Sequence, residues 1–358
     1  MKNRNVDLLV TEGHGLIVGK DSQGPVKWTE TTAGEVFGRS CIIPLAAQDD
    51  ESSGVDLSIA QIRMLAWIMA EGHVDLSRGY VKGIRIAQSE SPKGTIPILE
   101  KDLKDAGMLF SKVQRYTGGM TEHGQHRRYD AFRYGVRDCR SHWESWISKY
   151  MDAKKIPLPS LYGLSRLQAE EFLNAYTMAD GCYNKESVNS SQIASNVMEQ
   201  LDFLQALAAR CGWRTCLTPG KTVDYLTINR RSTSHVGSHS WSREAYAGIV
   251  WCVTVPNGTL LVRRGGRTAV TLNTHRPLYV TQARKSARVP LKAWYANAGC
   301  IRNLKPRYAR RQRTSIWGQA IVAGEYLETD RVVLAREWQA ETVIYRMGED
   351  AVGQEDRF

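Results

Sequence analysis

The 358-residue sequence predicts an α+β fold, in which a repeated unit of helices and strands is flanked on both sides by strand-rich segments. Two apolar helical stretches of the same design lie in the middle of the chain. Alternating strand-like segments and one further helix follow each of them. Further strand-like segments occur before the first helix and after the second unit. A chain of this length suggests about two domains of roughly 100 to 200 residues each.

The composition excludes several classes of protein. The longest apolar runs are about seven residues, whereas a membrane-spanning helix needs ~18 or more. The polar amino terminus lacks the apolar region of a signal peptide. Seven cysteines without a Cys-x-x-Cys pair argue against a disulfide framework and a structural zinc site. With 48 Lys plus Arg against 37 Asp plus Glu, the net charge of +11 favours a nucleic-acid partner. We therefore expect an intracellular protein that binds nucleic acid.

The two matching helices carry the same start and stop signals. The helical stretches and the segments that open them are Ile62 to Ala70 after Ser58-Ile-Ala-Gln61, and Ala169 to Ala179 after Ser165-Arg-Leu-Gln168. A Ser-x-x-Gln capping box satisfies backbone donors at the start of a helix. Gly72 and Gly181 follow the helices, where we expect a left-handed glycine to end each one. Alanines four residues apart on each helix would allow the two backbones to approach closely.

An acidic residue ends each helix, Glu71 in the first and Asp180 in the second. A carboxylate at the negative pole of a helix dipole is disfavoured by about 0.3–1 kcal/mol. Two such carboxylates at adjacent helix ends would also repel each other. A divalent cation relieves both problems and supplies a centre for phosphoryl chemistry. The alternative is an ordinary pair of amphipathic helices with solvated terminal acids.

At these residues a resemblance to a known family can be seen. Met64-Leu-Ala-Trp-Ile-Met-Ala-Glu-Gly72 and Leu173-Asn-Ala-Tyr-Thr-Met-Ala-Asp-Gly181 resemble the two LAGLIDADG motifs of homing endonucleases. The resemblance implies a pseudo-twofold pair of αββαββα half-domains in a monomer that cleaves double-stranded DNA. It implies that Glu71 and Asp180 are catalytic and bind Mg²⁺. Lys154 is similar to a family lysine that would stabilise charge on the phosphate, although a simple basic turn is an equal alternative.

The segments after each helix fit the same plan. After Gly72 we predict strands over Tyr80–Gln88, Leu109–Tyr116 and Tyr129–Val136, with a helix over Pro97–Ala106. After Gly181 we predict strands over Ser191–Ser195, Trp213–Leu217 and Tyr225–Asn229, with a helix over Val197–Cys211. In the family such strands lie in the DNA major groove, which admits a two-stranded ribbon. The candidate DNA contacts, each also open to interpretation as a solvated surface residue, are Arg85, Gln88, Lys112, Gln114, Arg115, Arg127, Arg128 and Arg133.

The flanking segments contain a second set of candidate residues. A strand-like stretch over Asp7–Val10 leads directly into Thr11 and His14, whose hydroxyl and imidazole could polarise a peptide carbonyl and protonate its nitrogen. A predicted strand pair runs from Val250 to Asn273. These segments are similar to the conserved pieces of the all-β Hint fold of self-splicing inteins. The intein residues that the resemblance implies are Thr11, His14, Cys252, Thr271, Asn273 and Thr274.

In that resemblance Thr11 and His14 activate the first splice junction, and Asn273 cyclises to release the downstream segment. Thr274 supplies a hydroxyl nucleophile. Cys252 matches a subclass that uses cysteine as its first nucleophile, and a buried strand cysteine is the alternative. Leu272 and Leu16 depart from the histidine and tryptophan expected at their positions, and no segment before Met1 supplies the first Hint strand. We therefore expect an amino-truncated, decayed or split intein with impaired splicing.

The resemblance divides the chain into four predicted parts. They are an N-terminal Hint part over 1–55, a double-motif endonuclease over 56–230, a C-terminal Hint part with the splice junction over 231–273, and a host fragment with an α/β fold over 274–358. Residues 274–313 contain 11 basic and no acidic residues, so the net positive charge lies mostly outside the predicted endonuclease. Hosts of this kind are typical of the bacterial or phage-infected cytoplasm.

Two other functions remain open. One is a non-cleaving nucleic-acid-binding module, such as an RNA-splicing maturase, that keeps the fold without the chemistry. The other is a partial intein in which Asn273 still cleaves the chain.

Overall fold

A computed structural model describes the protein over residues 1–20, 26–50, 52–90, 94–120, 126–127, 129–183, 189–245 and 258–272, and the backbone of 277–284, 291–298, 321–322 and 342–343. The helices are α1 (Ile59–Glu71), α2 (Thr95–Asp105), α3 (Cys139–Ser145), α4 (Arg166–Asp180) and α5 (Met198–Arg210). The strands are β1 (Gly15–Gly19), β2 (Trp28–Thr32), β3 (Cys41–Pro44), β4 (Gly72–Ser77), β5 (Tyr80–Ser89), β6 (Phe110–Tyr116), β7 (Gly119–Met120), β8 (His126–Arg127), β9 (Ala131–Val136), β10 (Gly181–Tyr183), β11 (Ser190–Ser195), β12 (Arg214–Thr218), β13 (Asp224–Asn229), β14 (Thr233–Val236), β15 (Thr259–Arg264), β16 (Arg267–Leu272), β17 (Pro277–Arg284), β18 (Leu291–Ala298), β19 (Ile321–Val322) and β20 (Thr342–Val343). Within these residues no helix has both the length and the hydrophobicity that a membrane span requires.

The chain forms two compact units. The first unit consists of Met1–Leu8, Ile43–His235 and Arg263–Ala269, and the second of Leu9–Ile42, Val236–Val262 and Val270–Phe358. The mixture of helices and sheets confirms the predicted fold class in its general form. The four predicted domain boundaries stay a prediction.

The first unit contains two repeats with the same order of elements. The first repeat runs α1-β4-β5-α2-β6-β9, and the second runs α4-β10-β11-α5-β12-β13. Their strands are arranged in the orders β4-β5-β9-β6 and β10-β11-β13-β12, with every pair antiparallel. The two arrangements therefore correspond strand for strand. The predicted αββαββα half-domain is confirmed in its first six elements; the final helix is present as α3 in the first repeat, whereas no α-helix follows β13 among the described residues.

Both predicted capping boxes are present. The Ser58 hydroxyl accepts from the Gln61 amide at 3.2 Å, and the Gln61 side chain accepts from the Ser58 amide at 2.9 Å. Ser165 and Gln168 make the same pair of bonds at 3.3 and 3.1 Å. The Gln168 side chain also donates to the Val55 carbonyl at 2.8 Å, which ties the segment before α1 to the start of α4.

The glycines that end the two helices are extended, so the expectation of left-handed residues was wrong. Gly72 has φ −74° and Gly181 has φ −95°, and each leads directly into a strand. A Cβ atom on Gly72 would lie 2.3 Å from the Ile68 carbonyl oxygen, and one on Gly181 would lie 2.6 Å from the Thr177 carbonyl oxygen. Glycine is therefore required for the close approach of the chain to the helix end, rather than for a positive φ.

α1 and α4 pack against each other at the centre of the first unit, and their contact is more extensive than that of any other pair of described helices. Ala66 and Ala175 are fully buried, Ala179 is 9% exposed and Ala70 is partly buried; the close approach of the two backbones at these alanines stays a prediction. The same apolar core includes Trp67 of α1, Tyr176 of α4 and Tyr134 of β9. Because this core continues through both repeats, it fixes the two helices against each other.

In the second unit β1 pairs along its whole length with β2, and it also pairs Leu16 with Thr271 of β16. The strand predicted over Asp7–Val10 is not formed. Asp7 instead makes an isolated bridge with Lys2 in the first unit, where its buried carboxylate also pairs with Arg264. This pairing holds the backbone in an irregular path, and the next strand begins only at Gly15.

Candidate active site

The ends of α1 and α4 bring two carboxylates into one site. Glu71 is the last residue of α1 and is partly buried, and Asp180 is the last residue of α4 and is exposed. Burial, together with the negative charge of Asp180, raises the pKa of Glu71 to about 7, and the positive charge of Lys155 partly opposes this rise. These three groups therefore interact electrostatically, although they come from three separate segments of the chain.

Lys155 lies on the loop that joins the two repeats. The loop is closed by the backbone pairing of Met151 with Pro157, and the Asp152 carboxylate accepts from the Ile156 amide at 2.8 Å. Lys155 has a left-handed φ of 67° and is partly buried. Burial lowers the pKa of its ammonium group, while the charges of the two carboxylates act in the opposite direction.

The predicted catalytic lysine, Lys154, is the residue immediately before Lys155 and is exposed. The interactions with Glu71 and Asp180 that the structure records belong to Lys155. Spacing to the following proline favoured Lys154, and the sequence contained no signal that separates two adjacent lysines. Lys155 is therefore the candidate residue that sequence reasoning missed.

The site has the donor types that Mg²⁺ prefers. A hard divalent cation stabilises two carboxylates at neighbouring helix ends, and the pKa of Glu71 is raised first by burial and then by the negative charge of Asp180. Within the described residues no cluster of three or more His, Cys, Asp or Glu side chains could hold a metal. Mg²⁺ commonly binds to one or two carboxylates and takes its other ligands from water and phosphate. The pair formed by Glu71 and Asp180 fits that pattern.

A buried network of charged side chains holds α1 and α4 together. Arg63 of α1 donates to both carboxylate oxygens of Asp102 of α2, at 2.9 and 3.0 Å, and to Glu171 of α4 at 2.8 Å. The Trp67 indole also donates to Asp102, at 2.9 Å. Because Asp102 is only 4% exposed, these bonds are necessary to offset the cost of burying its charge. The network therefore fixes α1 relative to both α2 and α4.

Gln88, predicted as a DNA contact, lies instead beside the carboxylate site. It is 9% exposed, and its side-chain amide donates to the carbonyl of Ala179 at 3.2 Å. Strand β5 alternates, so Gln88 shares the inward face with Ile84 and Ile86. This contact connects a strand of the first repeat to the last turn of α4, immediately before Asp180.

Strand register assigns the other candidate contacts of the first sheet to two faces. Arg85 is opposite Gly135, and Arg133 is opposite Val113 and Ala87, all on the outer face. Lys112 lies opposite Tyr134 and Gln114 lies opposite Phe132, both of which face inward. Arg115 is exposed and lies where the strand register shifts between Gln114 and Tyr116. Arg127 lies in β8, but its side chain is outside the described part, as is the whole of Arg128.

Three of these candidates already have partners within the protein, and one of them is Gln114, whose side-chain amide donates to the Asp130 carboxylate at 3.1 Å. Lys112 pairs with Glu100 at 2.8 Å and lies over the Phe132 ring, 4.2 Å from its centroid. Arg85 pairs with Asp75, and the hydrogen bond from Arg85 holds the pKa of the Asp75 carboxyl below its ordinary value. Arg133 is therefore the outer-face candidate for which no acidic partner is recorded within the described residues.

The second sheet presents an outer face that the sequence analysis did not consider. Cys182, Gln192, Thr227 and Cys216 form one row across β10, β11, β13 and β12. The residues next to this row along the strands, Ile193 and Leu226, are buried and point into the core. The row is polar and uncharged, and it corresponds in position to the outer face of the first sheet. The signal that could have found it is the alternation of apolar and polar residues along β11 and β13.

No family model matches this sequence, and no curated protein matches it. Among solved structures, the chain is similar to a mesophilic variant of the homing endonuclease I-DmoI, with 10% identity, a TM-score of 0.33 and coverage of 48% of this chain and 88% of that chain. It is also similar to the homing endonuclease I-WcaI bound to its DNA recognition sequence, with 16% identity, a TM-score of 0.34 and coverage of 49% and 78%. Full-length DUF199/WhiA from Thermatoga maritima matches with 13% identity, a TM-score of 0.32 and coverage of 50% and 54%.

In the second unit, Thr11 and His14 lie on a turn rather than after a strand. The His14 amide donates to the Thr11 carbonyl at 3.1 Å. The Nε2 atom of His14 is buried and has no hydrogen-bond partner among the described residues, and burial lowers its pKa. Thr271 is fully buried, and its hydroxyl likewise has no partner among those residues. The other predicted intein residues, Cys252, Asn273 and Thr274, lie outside the described residues.

Proposed function

We propose that this chain is a site-specific endonuclease of the LAGLIDADG type that hydrolyses both strands of double-stranded DNA with the help of Mg²⁺. One observation carries the proposal: the paired helices end in Glu71 and Asp180, whose charges interact with each other and with Lys155. Two carboxylates and a lysine at one rigid site are the groups that metal-dependent phosphodiester hydrolysis requires.

Each residue has a distinct part in the proposed reaction. Glu71 and Asp180 would hold the cation, which when bound supplies charge neutralisation at the scissile phosphates and activates water. Lys155 would stabilise the negative charge that develops on the phosphate oxygens. Because α1 and α4 are fixed by a common core, the two carboxylates keep their relative position during the reaction. Each carboxylate would serve one DNA strand.

The outer faces of the two sheets would bind the DNA. A two-stranded antiparallel ribbon fits the major groove, and long polar side chains on its face can read base edges. Arg133 on the first sheet, and Gln192 and Thr227 on the second, have outward positions in the strand register. We propose these residues as contacts, with Arg85 and Arg115 beside them. The monomeric state implied by two motifs in one chain belongs to the same proposal.

The proposal can be tested with a supercoiled plasmid library that carries random inserts. We expect the wild-type protein to linearise a subset of plasmids with Mg²⁺, and sequencing of the new ends would give the recognition site. On that site, Glu71→Gln and Asp180→Asn should each slow double-strand cleavage by at least about 10²-fold, the loss expected when a group that stabilises transition-state charge is removed.

The matched control is Glu170→Gln. Glu170 also lies on α4, but near the start of the helix, where its carboxylate pairs with Arg166. Its variant should cleave at the wild-type rate. Unchanged cleavage by Glu71→Gln or Asp180→Asn would overturn the catalytic assignment. Specific DNA binding by the wild-type protein without cleavage in any divalent metal would support the non-cleaving binding module instead.

A second activity, self-cleavage after Asn273, is favoured by a separate observation in the second unit. The buried His14 Nε2 and Thr271 hydroxyl have no partners among the described residues, and strand pairing brings their neighbourhoods together through Leu16. Unpaired buried polar atoms are uncommon in folded proteins, and a catalytic role is one of the reasons for which they are kept. Intact-mass measurement of purified protein would detect a cut after Asn273. A single uncut mass after long incubation would rule this activity out.

A further inference from the structure

The lysine at the carboxylate site is held by a contact from outside its own loop. The left-handed backbone of Lys155 costs on the order of 1–3 kcal/mol for a residue other than glycine, so the surroundings must enforce it. Within the loop, the Lys155 amide donates to the Asp152 carbonyl at 2.9 Å. On the other side, the side-chain amide of Gln200 donates to the Lys155 carbonyl at 3.0 Å. Hydrogen bonds therefore fix both the backbone amide and the backbone carbonyl of Lys155.

Gln200 is itself oriented by Tyr176. Gln200 lies in the first turn of α5 and is 3% exposed, while Tyr176 lies in α4, one turn before Asp180, and is 1% exposed. The Tyr176 hydroxyl donates to the Gln200 side-chain oxygen at 3.4 Å. With that oxygen engaged, the nitrogen of the same amide faces Lys155. A continuous chain of contacts thus runs from the catalytic helix α4 through α5 to the lysine.

We propose that Gln200, oriented by Tyr176, is a positioning residue that holds Lys155 against the carboxylate pair. The inference rests on the proposed function of that pair, since positioning has a catalytic effect only if Lys155 acts on the bound phosphate. A displacement of about 1 Å at a catalytic group can cost on the order of 10²-fold in rate. Loss of the Gln200 contact would release the strained loop and allow a movement of that size.

The test compares two buried glutamines of the same helix. Gln205 also lies on α5, is 2% exposed and donates its amide to a backbone carbonyl, that of Gly266, without a recorded contact to Lys155. Gln200→Leu should lower the single-turnover cleavage rate by on the order of 10²-fold while the affinity for the cleaved DNA site is unchanged. Gln205→Leu should keep the wild-type rate. Tyr176→Phe, which keeps the packing, should give a smaller loss than Gln200→Leu.

Two further measurements separate positioning from a structural effect. In a Lys155→Ala background, Gln200→Leu should cause no additional loss, because both changes remove the same function. Limited digestion with trypsin, mapped by mass spectrometry, should show faster cutting after Lys155 in Gln200→Leu than in Gln205→Leu or the wild type. The digestion needs no DNA, so it reports on positioning even if the chain cleaves no DNA and the proposed function fails.

Additive losses in the Lys155→Ala background would overturn the inference. So would equal losses of cleavage in the two glutamine variants, since that would indicate general destabilisation. Unchanged digestion after Lys155 in Gln200→Leu would overturn it as well, whatever happened to cleavage. The combination of non-additive cleavage with selective digestion at Lys155 would establish it.

Discussion

Glu71→Gln should stabilise the folded protein at high pH while slowing the proposed DNA cleavage by at least about 10²-fold. Burial, together with the negative charge of Asp180, raises the pKa of the partly buried Glu71 carboxyl to about 7 from an ordinary value near 4.5. The difference corresponds to a loss of about 3 kcal/mol in the free energy of unfolding when this group is ionised at high pH. Glutamine has nearly the same shape and carries no charge, so the substitution removes that cost.

The pH window follows from the direction of the shift. Between pH 4.5 and about 7 the folded state binds a proton that the unfolded chain has already lost, so stability falls as the pH rises through this range. Above pH 7 we expect Glu71→Gln to exceed the wild type by up to about 3 kcal/mol in free energy of unfolding. Below pH 4.5 the two proteins should be equally stable, because Glu71 is then protonated in both states.

The assay is urea denaturation at a series of pH values in the presence of a chelator, repeated with Mg²⁺. Added Mg²⁺ should raise the midpoint of the wild type, since a ligand of the folded state stabilises it, and should have less effect on the variant. Glu170→Gln is the control on the neighbouring helix and should show no gain at high pH. Parallel pH profiles for Glu71→Gln and the wild type would refute the reasoning, because they would show that burial and the charge of Asp180 do not raise the pKa of Glu71.

Three further predictions concern the surroundings of the site. Gly72→Ala should destabilise the protein by about 1–3 kcal/mol in thermal or urea unfolding, because its Cβ would overlap a helix carbonyl, whereas Gly163→Ala meets only an ordinary contact and should be neutral. Asp102→Asn, which breaks a buried ion pair, should cost about 3–5 kcal/mol, against less than about 1 kcal/mol for Asp105→Asn in an exposed pair on the same helix. Cys182 is exposed on the outer face of the second sheet, so cleavable-site DNA with Ca²⁺ should protect it from alkylation by a maleimide, as located by mass spectrometry; unchanged labelling would place the DNA elsewhere.

The helices and most strands of the two repeats could be predicted because their signals are local. The predicted helix over Pro97–Ala106 corresponds to α2, and the predicted strand over Ser191–Ser195 corresponds to β11 within one residue. Capping boxes and apolar spacing depend on neighbours in sequence, and the structure leaves them unchanged. A local rule failed at Asp7–Val10, where Asp7 pairs with the distant Arg264 and the first strand begins only at Gly15.

The faces of the strands could have been predicted more fully than they were. Arg85 and Gln88 are three residues apart on β5, so alternation places them on opposite faces, yet both were candidates for the same DNA surface. The rule would have directed Gln88 towards the core and Arg85 outward. No comparable rule separates Lys154 from Lys155, because the left-handed turn that chooses between them is set by Asp152 and by Gln200 from another element.

The sequence by itself determined that two matched helices end in Glu71 and Asp180, since a capped helix with an acid before a glycine is specified within one short segment. Only the tertiary structure decided that these acids share a site, and that Lys155 joins them. It also decided that the glycines are needed for space rather than for a left-handed turn. The physical reason is range: hydrogen-bonded caps act over a few residues, whereas the interaction between charges depends on distances that only packing of the helices can set.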